Sequence, residues 1–411
     1  MVNWPHIIGL WLFGALICGA VATNLGSTAL AAFAIPLAVA LSVVYVSSYV
    51  NSTLLSLLPY VLFFLTATTN LFGETEALTG MPSASKNDWL FGIAFYTTSL
   101  AYLLKSRSTL SLIDTLKVTN PLILISGPIA LYMRSDLHKK IGVRANYYFP
   151  FILVGFFFLN VVAAPLALTL PLAESTDLLS VAISTVIFEL FVYFNFAGIS
   201  LTVYGLFGIL GIKIPLNFRQ PFSSRNVIEF WRGWHISLSL VLRTLFYNPT
   251  RRFYGRTLSI FAVFMSSALW HGATLNFLLW GALHTISFLL TLFFIRYHMK
   301  YLNLFLLAVS IFLGRLIFAE SDTQVLLQKL SFTYKNQNAF AVLVDFPATT
   351  LVSLFFAILL VSLEFFGKDI KIIGKRNYKF LRTPISLLLI SVITLLLIKE
   401  NGLLYAVYAQ R

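Results

Sequence analysis

The chain has 411 residues, 58% of them hydrophobic and only 11% charged. That balance excludes an ordinary soluble domain and leaves a lipid bilayer as the solvent. A lone cysteine, Cys18, excludes a disulfide framework and a thiolate metal site. The net charge of +14 lies in loops between apolar runs, so membrane topology accounts for it without nucleic acid.

Apolar runs of spanning or near-spanning length cover 6–23, 29–47, 54–70, 89–104, 149–170, 178–212, 258–280, 281–295, 302–319, 350–366 and 384–398, eleven candidate spans in all. The first, from His6 to Thr23, lacks a basic n-region and a small-residue cleavage site, so a retained span is expected there. The loop with Glu74, Glu76, Lys86 and Asp88 and the turn with Glu174 and Asp177 are acidic and should face outward. Basic loops with Lys105, Arg107 and Lys117, and with Arg134, Lys139, Lys140 and Arg144, should face the cytoplasm. Between those two loops, 120–133 must begin and end on one side. Pro121, Gly127 and Pro128 suit a re-entrant element there.

The stretch from Lys213 to Arg256 carries eight basic residues against Glu229 and is expected in the cytoplasm, as is the basic loop 368–382. Eleven crossings from a cytoplasmic N-terminus satisfy every assignment. No fixed-period repeat or hydrophilic linker interrupts the chain, so one all-α transmembrane domain is expected over 1–411. It divides into N-terminal spans (1–117), a core (118–300) and C-terminal spans (301–411).

Two segments carry chemistry. Glu229 to Ser239 gathers Phe230, Trp231, Arg232, Trp234 and His235, and reads either as an interfacial anchor or as part of a site, with Arg225, Arg232 and Arg243 able to reach phosphates. Ala268 to Ala273 places His271 inside an apolar run, where an ionisable side chain is costly. His271 is then either a neutral histidine satisfied by a neighbouring helix or a working group. A buried neutral imidazole can take a proton from a hydroxyl attacking a thioester and return it to the thiolate. No HExxH, paired CxxC, GxGxxG or Walker lysine motif occurs, so neither a metal nor a nucleotide site is expected.

At these residues the chain resembles the membrane-bound O-acyltransferase (MBOAT) family, in particular its bacterial branch of alginate O-acetyltransferases and teichoic acid D-alanyltransferases. Ser126 to Ile129 is similar to its short GPI element, Tyr193 to Gly198 to YFDFSGYS, and Asn217 to Phe222 to NFxxP. Glu229 to Ser239 resembles EFWRRWHISLS, and Leu269 to Trp280 resembles LWHGASWNFxxW. The resemblance implies a helical bundle perforated by a tunnel, with His271 and His235 catalytic. Trp231, Arg232, Trp234, Ser239, Arg243, Trp270 and Asn276 would contact donor or substrate.

It also implies transfer of an acetyl or other short acyl group to a hydroxyl of a cell-envelope glycan or polymer. The donor would be acyl-CoA or a carrier-protein thioester, with no cofactor, and a periplasmic SGNH-type partner is expected. Asn195 and Leu201 stand where the family has acidic residues, Gly233 replaces an arginine, and the segment Asn248 to Gly255 lacks a PLGG form. Two rivals from other classes are a transporter with a buried histidine in its substrate or proton path, and a scaffold that binds an acyl carrier.

Overall fold

A computed structural model describes residues 8–9, 11–16, 120, 134–135, 137–167, 177–271, 274–320, 322–331, 346–370 and 383–401. The spans expected at 29–47, 54–70 and 89–104, nearly all of the re-entrant segment and most of the loop 368–382 lie outside these residues. Of the first expected span, 8–9 and 11–16 are described, and they are helical.

The described residues form an all-α bundle with one two-residue ladder. A short strand β1 (Arg134–Ser135) leads into α1 (Ile141–Phe157), which passes through a π turn (Phe158–Ala163) into α2 (Ala164–Ala167). Next come α3 (Leu178–Ile209), β2 (Ile212–Lys213), α4 (Val227–Gly233), α5 (Ile236–Leu242), a second π turn (Arg243–Tyr247) and α6 (Asn248–His271). The described chain closes with α7 (Leu275–Arg296), α8 (Lys300–Ala319), α9 (Thr323–Leu330), α10 (Ala348–Ile370) and α11 (Pro384–Asn401). Among the described residues, five stretches are long and apolar enough to cross a membrane: Ile141–Ala167, Leu178–Ile209, Leu275–Arg296, Lys300–Ala319 and Ala348–Phe366.

The hairpin of α1 with α3 is the frame. At one end Asp177 caps α3, its Oδ2 accepting from the Leu179 and Ser180 amides at 3.1 and 3.3 Å. At the other, β1 pairs antiparallel with β2, setting Arg134 opposite Lys213. Arg144 donates from Nε to the Ile209 carbonyl at 3.0 Å, satisfying a carbonyl at the end of α3. The basic loops flanking the hairpin therefore share one side, as their charge requires.

In lipid, helices gain little from apolar burial against each other and associate by close approach at small residues. Gly155 faces Gly198, and a Cβ on Gly205 would lie 2.6 Å from Ile152 Cγ1 and 2.9 Å from the Tyr148 carbonyl. Around this contact the rings of Phe151, Phe158, Tyr193, Phe194 and Phe207 are fully buried.

Two expectations are corrected. Hydropathy divides the region into spans 258–280 and 281–295, but α6 ends at His271 and α7 runs unbroken from Leu275 to Arg296. No acidic residue, lysine or arginine interrupts the run there, although His271, Gly272, Thr274 and Asn276 lower the local hydropathy. The capping side chain marks the break as well, with Thr274 Oγ1 accepting from the Phe277 amide at 3.3 Å. Nor is Glu229 to Ser239 a peripheral anchor, because Phe230, Trp234 and Leu238 are buried. The Trp234 ring finds partners in Phe218 and Tyr193, and Phe230 in Phe222, which lipid headgroups cannot supply.

A methyl group at Gly205 should cost about 1–3 kcal/mol by overpacking, whereas Gly142, with open space around its Cα, should accept one freely. Thermal unfolding in detergent of Gly205→Ala and Gly142→Ala checks this. Equal stability of the two variants contradicts the close approach.

Candidate active site

The two histidine motifs meet across one cavity of about 860 Å³. His235 comes from the junction of α4 and α5, where its backbone is left-handed, with φ of 43°. A β-carbon makes that conformation unfavourable, so the turn must be held from outside. Asn217 holds it: its carbonyl accepts from the Ile236 amide at 2.9 Å, and its Oδ1 accepts from the Ser237 amide and hydroxyl at 3.1 and 2.8 Å. The Arg219 amide donates to the Gly233 carbonyl at 2.9 Å. The NFRQPF turn thus acts as a splint for the histidine motif.

Gly233 itself lies against that splint, since a Cβ there would be 3.1 Å from the Arg219 carbonyl and 3.2 Å from Pro221 Cα. His235 packs near Phe196 and Phe218, with ring centroids 6.4 and 6.2 Å away. Its Nδ1 is buried with no hydrogen-bond partner among the described residues. Burial pushes its pKa down to about 4, so the ring is neutral near pH 7.

His271 is the last residue of α6. Its ring sits edge-on to Phe318 at 4.7 Å and near Trp280 and Phe277 at 6.0 and 5.9 Å. The side chain is half-buried, on the cavity wall. Neither ring nitrogen makes a hydrogen bond to a described residue.

The cavity is elongated. Arg256 and His271 both line it, and at 1.5 Å per residue the climb along α6 between them is about 22 Å. Arg232, Arg243 and Arg256 all line this cavity and are exposed.

Of the residues expected to contact donor or substrate, Trp231, Arg232, Trp234, Ser239 and Arg243 line this cavity. Asn276 does not. It is fully buried, donates to the Glu320 carbonyl at 2.6 Å and accepts from the Thr323 hydroxyl at 2.9 Å, tying α7 to the α8–α9 corner. Trp270 belongs to α6, but its side chain is outside the described residues. Arg225 also stands away from the cavity, donating to the Phe365 carbonyl at 2.7 Å with its guanidinium 3.9 Å from that residue's ring centre.

Three ionisable groups escaped the sequence reading of the site. Glu189 on α3 and Arg315 on α8 form an ion pair on the cavity wall. His284 on α7 is enclosed by Trp280, Trp231 and Phe264, at 4.6, 4.9 and 6.0 Å between ring centres. Each stands singly in an apolar run, the same signal that drew attention to His271.

A many-spanning helical protein with three imidazoles lining one cavity, two of them from the histidine motifs, is the class these features define. Residues 148–343 match the model of MBOAT, the membrane-bound O-acyltransferase family, and hold both histidine motifs. The chain therefore carries a domain of that family. It is 30% identical to the teichoic acid D-alanyltransferase of Bacillus subtilis over 28% of its length and 32% of the relative's. It is 40% identical to the probable alginate O-acetylase of Pseudomonas aeruginosa over 22% of this chain and 18% of that one. Against the peptidoglycan O-acetyltransferase of Helicobacter pylori the figures are 32% identity, 28% of this chain and 23% of the relative. The matched stretch thus spans about a third or less of the curated relatives' length.

A folded pKa near 4 for His235, below its ordinary 6.5, stabilises the fold above pH 6.5, and that contribution is lost as pH falls through 4. His235→Asn should therefore flatten part of the acid destabilisation between pH 6.5 and 4, read by thermal unfolding across that range. An unchanged pH profile contradicts the buried neutral ring.

Proposed function

We propose that this protein is an O-acyltransferase that moves an acetyl or other short acyl group from a thioester donor to a hydroxyl of a cell-envelope glycan or polymer. The observation that carries this reading is the imidazole of His271, without a hydrogen bond to any described residue, on the wall of an elongated cavity that the exposed Arg232, Arg243 and Arg256 also line. A thioester of coenzyme A or of a phosphopantetheine carrier has anionic phosphates at one end and the acyl carbon at the other. The exposed arginines suit the first, and the imidazole suits the second.

In this reaction His271 takes the hydroxyl proton as the oxygen adds to the thioester carbon, then protonates the departing thiolate. His235, neutral and rigidly held on its left-handed turn, shapes the donor channel. The names of the relatives, which act on alginate, teichoic acid and peptidoglycan, support an envelope acceptor. A location in the inner membrane with a cytoplasmic N-terminus, and completion of transfer by a periplasmic SGNH-type partner, belong to the same reading.

Membranes containing the protein should consume labelled acetyl-CoA or a labelled carrier thioester and yield an acylated glycan identifiable by mass spectrometry. His271→Ala should lower turnover at least about a hundredfold, the low end of acid–base contributions, with the fold retained. Near-normal turnover in that variant, or solute flux without thioester consumption in the wild type, would overturn the reading.

A further inference from the structure

We propose that Arg315 on α8 is a further catalytic residue: its guanidinium binds the carbonyl oxygen of the thioester and stabilises the oxyanion formed during transfer. The proposal rests on the acyl-transfer reading and adds to it the electrophilic group that general-base action at His271 leaves unsupplied.

The geometry of the ion pair carries the argument. Arg315 bonds Glu189 through Nε, and its side chain is 11% exposed. A purely structural arginine pairs best as a fork, two parallel N–H donors on two carboxylate oxygens. Here Glu189 Oε1 is buried without a partner, and the Arg315 Nη atoms make no hydrogen bond to a described residue. The pair is thus incomplete, and both residues line the cavity.

Aromatic rings fix where the open side lies. Arg315 Cζ is 5.4, 5.6 and 5.7 Å from the ring centres of Phe318, Trp234 and Phe188. Phe318 also touches His271, and Trp234 adjoins His235 in the chain. The guanidinium therefore stands between the two histidine motifs, on the opposite helix. Within one turn of α8, Gly314 leaves room for His284.

The chemistry needs a cation there. As a hydroxyl oxygen bonds to the thioester carbon, its proton passes to His271 and the carbonyl π electrons move onto oxygen. Collapse re-forms the carbonyl, breaks the C–S bond and sends the electron pair to sulfur, which takes the proton from His271. The transient oxyanion is the largest new charge in a cavity with mostly apolar walls, where an oriented donor acts most strongly. Arg315 keeps its own proton throughout, and Glu189 orients it while keeping the resting cavity close to neutral.

The test is steady-state turnover of the full chain in nanodiscs, using acyl-CoA and the acceptor that the wild type acylates, with unfolding monitored in parallel. Arg315→Gln should lower kcat by about 10²–10³ with the donor KM changed only a few-fold. Added guanidinium should restore part of the rate in Arg315→Ala. Glu189→Gln, which leaves the cation in place, should lose less than Arg315→Gln. A folded Arg315→Gln variant with kcat within about threefold of wild type, or losses equal to those of Glu189→Gln with no guanidinium rescue, would overturn the role of Arg315 alone. If Arg315→Gln fails to fold, Arg315→Lys decides: at least about a tenfold kcat deficit is expected, and wild-type kcat overturns the proposal. A wild type that consumes no thioester removes the acyl-transfer reading itself, and this assignment with it.

Discussion

An ionisable side chain at bilayer depth must find a partner or face water, because the hydrocarbon around the bundle offers neither. This constraint organises the described part of the protein. Arg144 is spent on backbone carbonyls at the helix ends, and Arg225 is spent on Phe365. Glu364, buried on α10, accepts from the Tyr193 hydroxyl. Asp177 caps a helix and Lys329 pairs with Glu320, while Glu189, His235, His271, His284 and Arg315 all meet the cavity wall. The partition of charge between joints and cavity is the link from packing to function.

The joints in turn make the cavity stiff. Tyr193 is bound to Glu364 on α10 and packs on Phe222, Phe218 and Trp234, so one ring joins α3, α10, the NFRQPF turn and the histidine motif. Asn217 completes the lock from beneath His235. A left-handed histidine costs conformational energy of order 1–3 kcal/mol, and this mesh of contacts is what sustains it. Rigid placement of a group that must meet a reacting atom is worth more than its own contact energy, because misplacement by about 1 Å can cost a hundredfold in rate.

The apolar runs made the membrane class and the α1–α3 hairpin legible, and charge bias set the loops around Arg134 and Lys213 on one side before the β1–β2 ladder was seen. The break after His271 has only a short signature, since leucine, tryptophan and phenylalanine continue on both sides and the polar His271, Gly272, Thr274 and Asn276 alone mark it. The convergence of His235 and His271, thirty-six residues apart, came from the family resemblance and not from periodicity. The pairing of Glu189 with Arg315 spans 126 residues and has no local signature. Nor could composition separate Arg225 from Arg232: both are arginines in one basic stretch, and only the approach of α10 removes the first from the cavity's reach.

The account stands on His271 facing an aqueous passage within the folded bundle. Cys18 is the only native cysteine, so a Cys18→Ser background gives a direct measurement. A single cysteine is introduced as His271→Cys or, for comparison, as Thr285→Cys in the buried interior of α7, and each is exposed to a charged, membrane-impermeant thiol reagent. The cysteine at 271 should react in the folded protein far faster than the one at 285. A thiol at 271 that stays unreactive until the protein unfolds would contradict the central claim.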